Sequence, residues 1–155
     1  MDTWRDYKAI NDMWNAGQRM REACRTAAAG GDGGLLFDLL MPAAFSPSYL
    51  QANSGIMAAR RQQFAAMPPA WFEAVDRLLA SLEALDMRSA LARIGCPTLV
   101  VGAEFDATFP SAHSHALAGA IHGARLEIVP GSGHALVAEQ PNRLLEILWS
   151  FLPSA

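Results

Sequence analysis

Two residues of this chain have the types and surroundings for acid–base chemistry. Asp106 follows the apolar run Leu99-Val100-Val101-Gly102, and His134 follows Arg125-Leu126-Glu127-Ile128-Val129 through the turn Pro130-Gly131-Ser132-Gly133. A carboxylate that accepts from one imidazole nitrogen fixes the ring's tautomer and steadies the imidazolium formed when the other nitrogen takes a proton. Such a pair can act as general base and then general acid for a nucleophile placed beside it. Asp106 and His134 are far apart along the chain, so the fold must bring them together.

The elements around them are suited to that task. Pro97 to Gly102 is an apolar run fit for a strand buried on both faces, and Arg125 to Val129 is a second strand. Asp86 to Leu91 reads as a short helix ending near Gly95. Ser111 to Ile121 reads as a helix between the strands, and Pro141 opens a last helix through Leu144, Leu145, Leu148, Trp149 and Leu152. Strand, helix, strand, helix implies parallel strands, whose carboxyl ends are where ligands sit in open sheets. Adjacent strands lie about 5 Å apart, so their end loops can meet within hydrogen-bond reach.

The first half reads as helices punctuated by Gly and Pro. Trp4, Tyr7, Ile10, Trp14, Gly17, Met20 and Cys24 recur every three or four residues, and Gly30-Gly31 closes that helix. Leu35 to Met41 reads as a short helix ended by Pro42. Ser46-Pro47 reads as a cap and first turn opening a helix towards Met67, with Ser54 in its middle. Pro68-Pro69 starts another through Leu82. The boundaries that follow are residues 1–85 for the helical region and 86–155 for the α/β region.

Several of these segments together resemble the closing third of an α/β-hydrolase. They are Ile94-Gly95-Cys96-Pro97-Thr98-Leu99-Val100-Val101-Gly102, Asp106 with Pro110 beyond it, Pro130-Gly131-Ser132-Gly133-His134, and Glu139-Gln140-Pro141. In that family the catalytic triad runs Ser, acid, His along the chain. The resemblance implies that Asp106 is the triad acid and His134 the triad histidine. It also implies a partial α/β-hydrolase fold, in which a helical cap precedes the last two strands. The expected chemistry is hydrolysis of an ester, lactone or thioester, without metal or organic cofactor.

The family's nucleophile elbow, Gly-x-Ser-x-Gly, does not occur in the sequence. Ser132 lies between two glycines but at the wrong spacing, within the histidine loop. The isolated chain is therefore expected to be inactive, with the nucleophile half missing. The alternative is a non-catalytic remnant. Two strands make a very small sheet with open edges, so self-association as a homo-oligomer, or pairing with a missing N-terminal half, is expected.

Other residues have plainer readings. His113 and His115 are two apart in a helix, point to different faces, and are expected to be solvent-exposed rather than metal ligands. His122 reads as a turn residue at a helix end. Cys24 reads as core, and Cys96 as a partly buried structural thiol. Of the 155 residues, 52% are hydrophobic and 17% charged, which excludes a disordered chain. A net charge of −3 gives no reason to expect nucleic acid or an anionic membrane. Two cysteines, no signal-peptide pattern and no membrane-length apolar run point to the cytoplasm.

Overall fold

The computed structural model describes residues 7–83 and 86–152. Helices α1 (Tyr7–Ala28), α2 (Gly34–Ala44), α3 (Pro47–Ala52), α4 (Ser54–Ala65) and α5 (Pro69–Glu83) come first. They are followed by α6 (Arg88–Leu91), β1 (Leu99–Ala103), α7 (Ser111–Ala120), β2 (Arg125–Val129), α8 (Leu136–Glu139) and α9 (Pro141–Phe151).

The apolar stripe of α1 decides how the helical half packs. Met20, Ala23, Cys24 and Ala27 recur at helical spacing and bury against Leu36 of α2 and Phe72 of α5. Trp4, assigned to the same stripe, lies outside the described residues, as do the side chains of Tyr7, Ile10 and Trp14. Burial pushes the Cys24 thiol up to about 11, which keeps it an inert core residue. At the edge of this seam Arg21 donates to Asp76 at 2.7 Å, and Arg25 reaches the same carboxylate at 3.3 Å.

The Arg21 guanidinium holds the Asp76 carboxyl below the usual carboxylate range. A carboxyl depressed in the folded state adds stability that is present above its unfolded pKa and is lost as pH falls through the folded value. Stability to urea unfolding of the parent chain should therefore weaken as pH falls from neutral into the acid range. Asp76→Asn should be less stable at the higher pH and lose less on acidification. Equal pH slopes in the two proteins would show that this pair does not contribute.

The sequence reading of the middle helices needs two corrections. Pro42 does not end α2, which runs on to Ala44 with Pro42 inside it. The proline removes one N–H near the helix end, yet the Phe45 N–H still reaches the Met41 carbonyl at 3.0 Å. The helix expected from Ser46 to Met67 is in fact two, divided at Asn53. The Asn53 side chain donates to the Tyr49 carbonyl at 2.9 Å, an acceptor that its own backbone N–H also uses. Ser54 therefore opens α4 instead of lying mid-helix. Ser46 does cap α3, accepting from the Tyr49 N–H, with Pro47 in the first turn.

Strands β1 and β2 pair in parallel, and among the described residues they form a two-stranded sheet. α7 lies so close to one face that a Cβ on Gly102 would come within 2.6 Å of the Ser114 hydroxyl. On the other face Leu99 and Val101 pack with Val129, with Leu136 of α8, and with Leu144 and Ile147 of α9. Burial on this face is only partial, since Leu99 and Val101 keep some exposure, whereas Val100 and Gly102 of the same strand are buried. The sheet has too few neighbours to be covered fully. α9 carries a second apolar stripe of Leu145, Leu148 and Trp149, continued by Leu152 just past its end, all exposed. No helix among the described residues is long and apolar enough to cross a membrane.

Candidate active site

In the parallel register Leu99 lies opposite Arg125 and Ala103 opposite Val129, so both strands release their loops at the same end. The loops are then stitched together. The Glu104 N–H donates to the Val129 carbonyl at 3.0 Å and the Phe105 N–H to the Ser132 carbonyl at 2.8 Å. The Glu104 carboxylate accepts from the Gly131 N–H at 2.8 Å. Ser132 is fully buried and donates its hydroxyl to the Val129 carbonyl at 3.0 Å. It is thus a structural serine of the loop, closed to solvent.

Asp106 divides its two oxygens between two tasks. Oδ1 accepts from the Thr108 and Phe109 N–H groups at 2.9 and 2.7 Å, which folds the loop into a turn around the carboxylate. Oδ2 meets His134 Nδ1 at 3.0 Å. An ionised carboxylate only accepts, so Nδ1 is assigned the proton and Nε2 is left as the basic nitrogen. The Asp106 side chain is 11% exposed and the His134 side chain 43%. The pair therefore combines an anchored acid with an imidazole open to a reactant. The Phe109 ring stands 5.5 Å from the imidazole, tilted by 52°.

The helical half reaches this site through the end of α2. Thr108 donates its hydroxyl to the Ala43 carbonyl at 3.1 Å, and the Ala135 N–H donates to the Ala44 carbonyl at 2.7 Å. Gly133 touches the backbone there. A Cβ on it would lie 2.7 Å from Ser46 N and 2.8 Å from Phe45 C, so only glycine permits this approach. Glu139, at the end of α8, accepts from the Gly133 N–H at 2.9 Å, the Ser46 N–H at 3.0 Å and the Ser46 hydroxyl.

A model of the alpha/beta hydrolase family matches residues 10–147. The chain belongs to the α/β-hydrolase family. A relative from Azorhizobium caulinodans, whose name proposes a carbamate hydrolase (RutD), is 33% identical over 107 residues, covering 69% of this chain and 40% of its own length. The α/β-hydrolase enzyme MGS-M2 from a Medee basin deep-sea metagenome library superposes with a TM-score of 0.81 at 22% identity, over 92% of this chain and 52% of its own. A thermophilic esterase from Thermogutta terrifontis gives a TM-score of 0.70 at 25% identity, over 88% of this chain and 49% of its own. The chain spans about half the length of these relatives.

For this α/β-hydrolase chain, the structure brings together the two residues singled out from sequence. It also corrects some bystanders. His115 is exposed as expected and His122 lies just after the end of α7, but His113 is half-buried, with Nε2 enclosed and without a hydrogen-bond partner among the described residues. Helical spacing tells which face a residue takes, not what packs above that face. Cys96 is exposed rather than partly buried, because it precedes β1, where the small sheet offers no cover. The positions that sequence reasoning missed are Glu104, Thr108 and the triple acceptor role of Glu139. Glu139 lies in the Glu139-Gln140-Pro141 segment, but its partners Ser46 and Gly133 carry no local pattern that points to it.

Proposed function

We propose that Asp106 and His134 are the acid and base of a Ser-His-Asp hydrolase acting on an ester, lactone or thioester. The observation that carries this reading is the 3.0 Å hydrogen bond from His134 Nδ1 to Asp106 Oδ2 at the shared carboxyl end of two parallel strands. His134 Nε2 takes the proton of an attacking serine hydroxyl and returns it to the leaving group, while Asp106 holds the ring. The helical region 1–85 serves as a cap over the site. The esterase and carbamate-hydrolase relatives support a substrate whose carbonyl carbon bears a heteroatom leaving group. No metal or organic cofactor is required for this chemistry, and the setting is the cytoplasm.

The nucleophile and the oxyanion-hole donors come from outside this chain, in an N-terminal half that pairs with the open sheet. On this reading the chain alone hydrolyses a chromogenic short-chain ester at the background rate. Fusing the N-terminal half of the Thermogutta terrifontis esterase ahead of residue 1 should yield hydrolysis that depends on His134. A folded, active fusion indifferent to His134→Ala would sink the assignment.

A second reading is favoured by a separate observation, the exposure of Trp149 (71%) and Val137 (68%) together with that of Leu145, Leu148 and Leu152. In it the chain is non-catalytic and a second copy covers this apolar surface. Size-exclusion chromatography with light scattering should then show a homo-oligomer. Substituting Leu145→Lys and Trp149→Lys together should shift it to monomer, whereas a monomeric parent chain would defeat this reading.

A further inference from the structure

We propose that Glu139 is a positioning residue that latches the helical half to the histidine loop and thereby fixes the tautomer of His134. This rests on reading His134 as the catalytic base. One carboxylate gathers three donors from two distant parts of the chain. Oε1 accepts from the Gly133 N–H at 2.9 Å and from the Ser46 N–H at 3.0 Å, and Oε2 accepts from the Ser46 hydroxyl. Gly133 immediately precedes His134. Ser46 is 1% exposed, caps α3, and lies two residues after Ala44, whose carbonyl receives the Ala135 N–H.

His134 is thus held from both sides of its own backbone. On one side the Gly133 N–H is tied to Glu139, and on the other the Ala135 N–H is tied to the Ala44 carbonyl at 2.7 Å. The ring itself is half-exposed, and its described contacts are the hydrogen bond to Asp106 and the Phe109 ring 5.5 Å away. The direction of Nδ1 towards Asp106 therefore depends on the backbone at 133–135. Glu139 supplies the only charge-bearing acceptor that reaches this backbone among the hydrogen bonds described. Charge-assisted hydrogen bonds of this kind are shorter and roughly twice as strong as neutral ones.

Removing the carboxylate leaves the Gly133 N–H, the Ser46 N–H and the Ser46 hydroxyl without their acceptor. The loop is then free to separate from α3, and the imidazole to turn away from Asp106. A glutamine at the same position keeps an oxygen for the two N–H groups, and its amide can donate to the Ser46 hydroxyl oxygen. Glutamine should therefore restore most of what alanine removes.

The readout is the NMR spectrum of the His134 imidazole nitrogens in the full chain, held above the pH at which the ring is protonated. This measurement does not depend on hydrolysis, so a failure of the hydrolase reading leaves it intact. The parent chain should show a single Nδ1–H tautomer. Glu139→Ala should shift both nitrogen resonances towards the averaged values of a tautomer mixture, and Glu139→Gln should return them. A folded Glu139→Ala chain with the parent tautomer would overturn the proposal, because a merely structural carboxylate lowers the melting temperature without moving these resonances. Should Glu139→Ala not fold, Ser46→Ala is read the same way: a partial shift supports the latch and an unchanged spectrum overturns it.

Discussion

On the proposed assignment, replacing His134 by alanine should lower ester hydrolysis by the completed fusion enzyme at least about 10⁴-fold, as loss of a triad histidine does elsewhere. The expectation follows from the division of labour at the imidazole. In the proposed mechanism, with Nδ1 committed to Asp106 at 3.0 Å, Nε2 is the nitrogen that takes the proton of the serine. Without it the hydroxyl must attack as a neutral alcohol, which is a weak nucleophile. The fold should hardly notice. His134 is 43% exposed and its change to alanine removes no core contact, so stability should stay within about 0.5 kcal/mol. Asp106→Asn makes a sharper companion. Its amide oxygen can still accept from the Thr108 and Phe109 N–H groups, while its NH₂ offers a donor to Nδ1. The ring would then carry its proton on Nε2, the wrong tautomer, at a comparable cost of about 10⁴-fold. Rates of either variant within tenfold of the parent fusion would remove both residues from the mechanism.

Why the pair was legible in sequence while its support was not comes down to the range of the interactions. Asp106 and His134 each follow an apolar run of strand length, and the parallel pairing of those runs is the kind of structure that alternating strands and helices dictate. The turn residues around them also carry local signals, Asp106 as a turn former and Gly131 to Gly133 as loop residues. Glu139 had no such signal. Its contacts with Ser46 span 93 residues, and nothing in the spacing of either segment foretells them. The break between α3 and α4 was hidden for a different reason. Its cause is one side-chain amide competing for the Tyr49 carbonyl, a contest that apolar periodicity does not register. The exposure of Cys96 and the enclosure of His113 depend on what lies over a surface, which only the assembled elements decide.

Phe72→Ala should be the most destabilising single substitution in the helical half, costing about 3–5 kcal/mol in urea unfolding. Phe72 is 2% exposed and sits where α1, α2 and α5 converge, packed with Met20, Cys24 and Leu36. Its ring meets Trp71 edge-on at 5.1 Å and occupies the space that a side chain at position 33 would need. That last contact is with backbone, which cannot swing into the gap as a flexible side chain could. The cavity should therefore stay open, placing the cost at the upper part of the range. Against a typical total of about 5–15 kcal/mol, this is a large share of the chain's stability. Leu78, on the same helix but 61% exposed, provides the control, with Leu78→Ala expected to change stability by no more than about 0.5 kcal/mol. The two halves also separate in this experiment. Phe72 belongs to a different buried cluster from Val129, Leu136 and Ile147, which hold the sheet beneath the site. Below its unfolding transition, Phe72→Ala should thus leave His134 in its single Nδ1–H tautomer, unlike Glu139→Ala. A Phe72→Ala chain that loses less than about 1 kcal/mol would show that the α1–α2–α5 seam is not the core of the helical half.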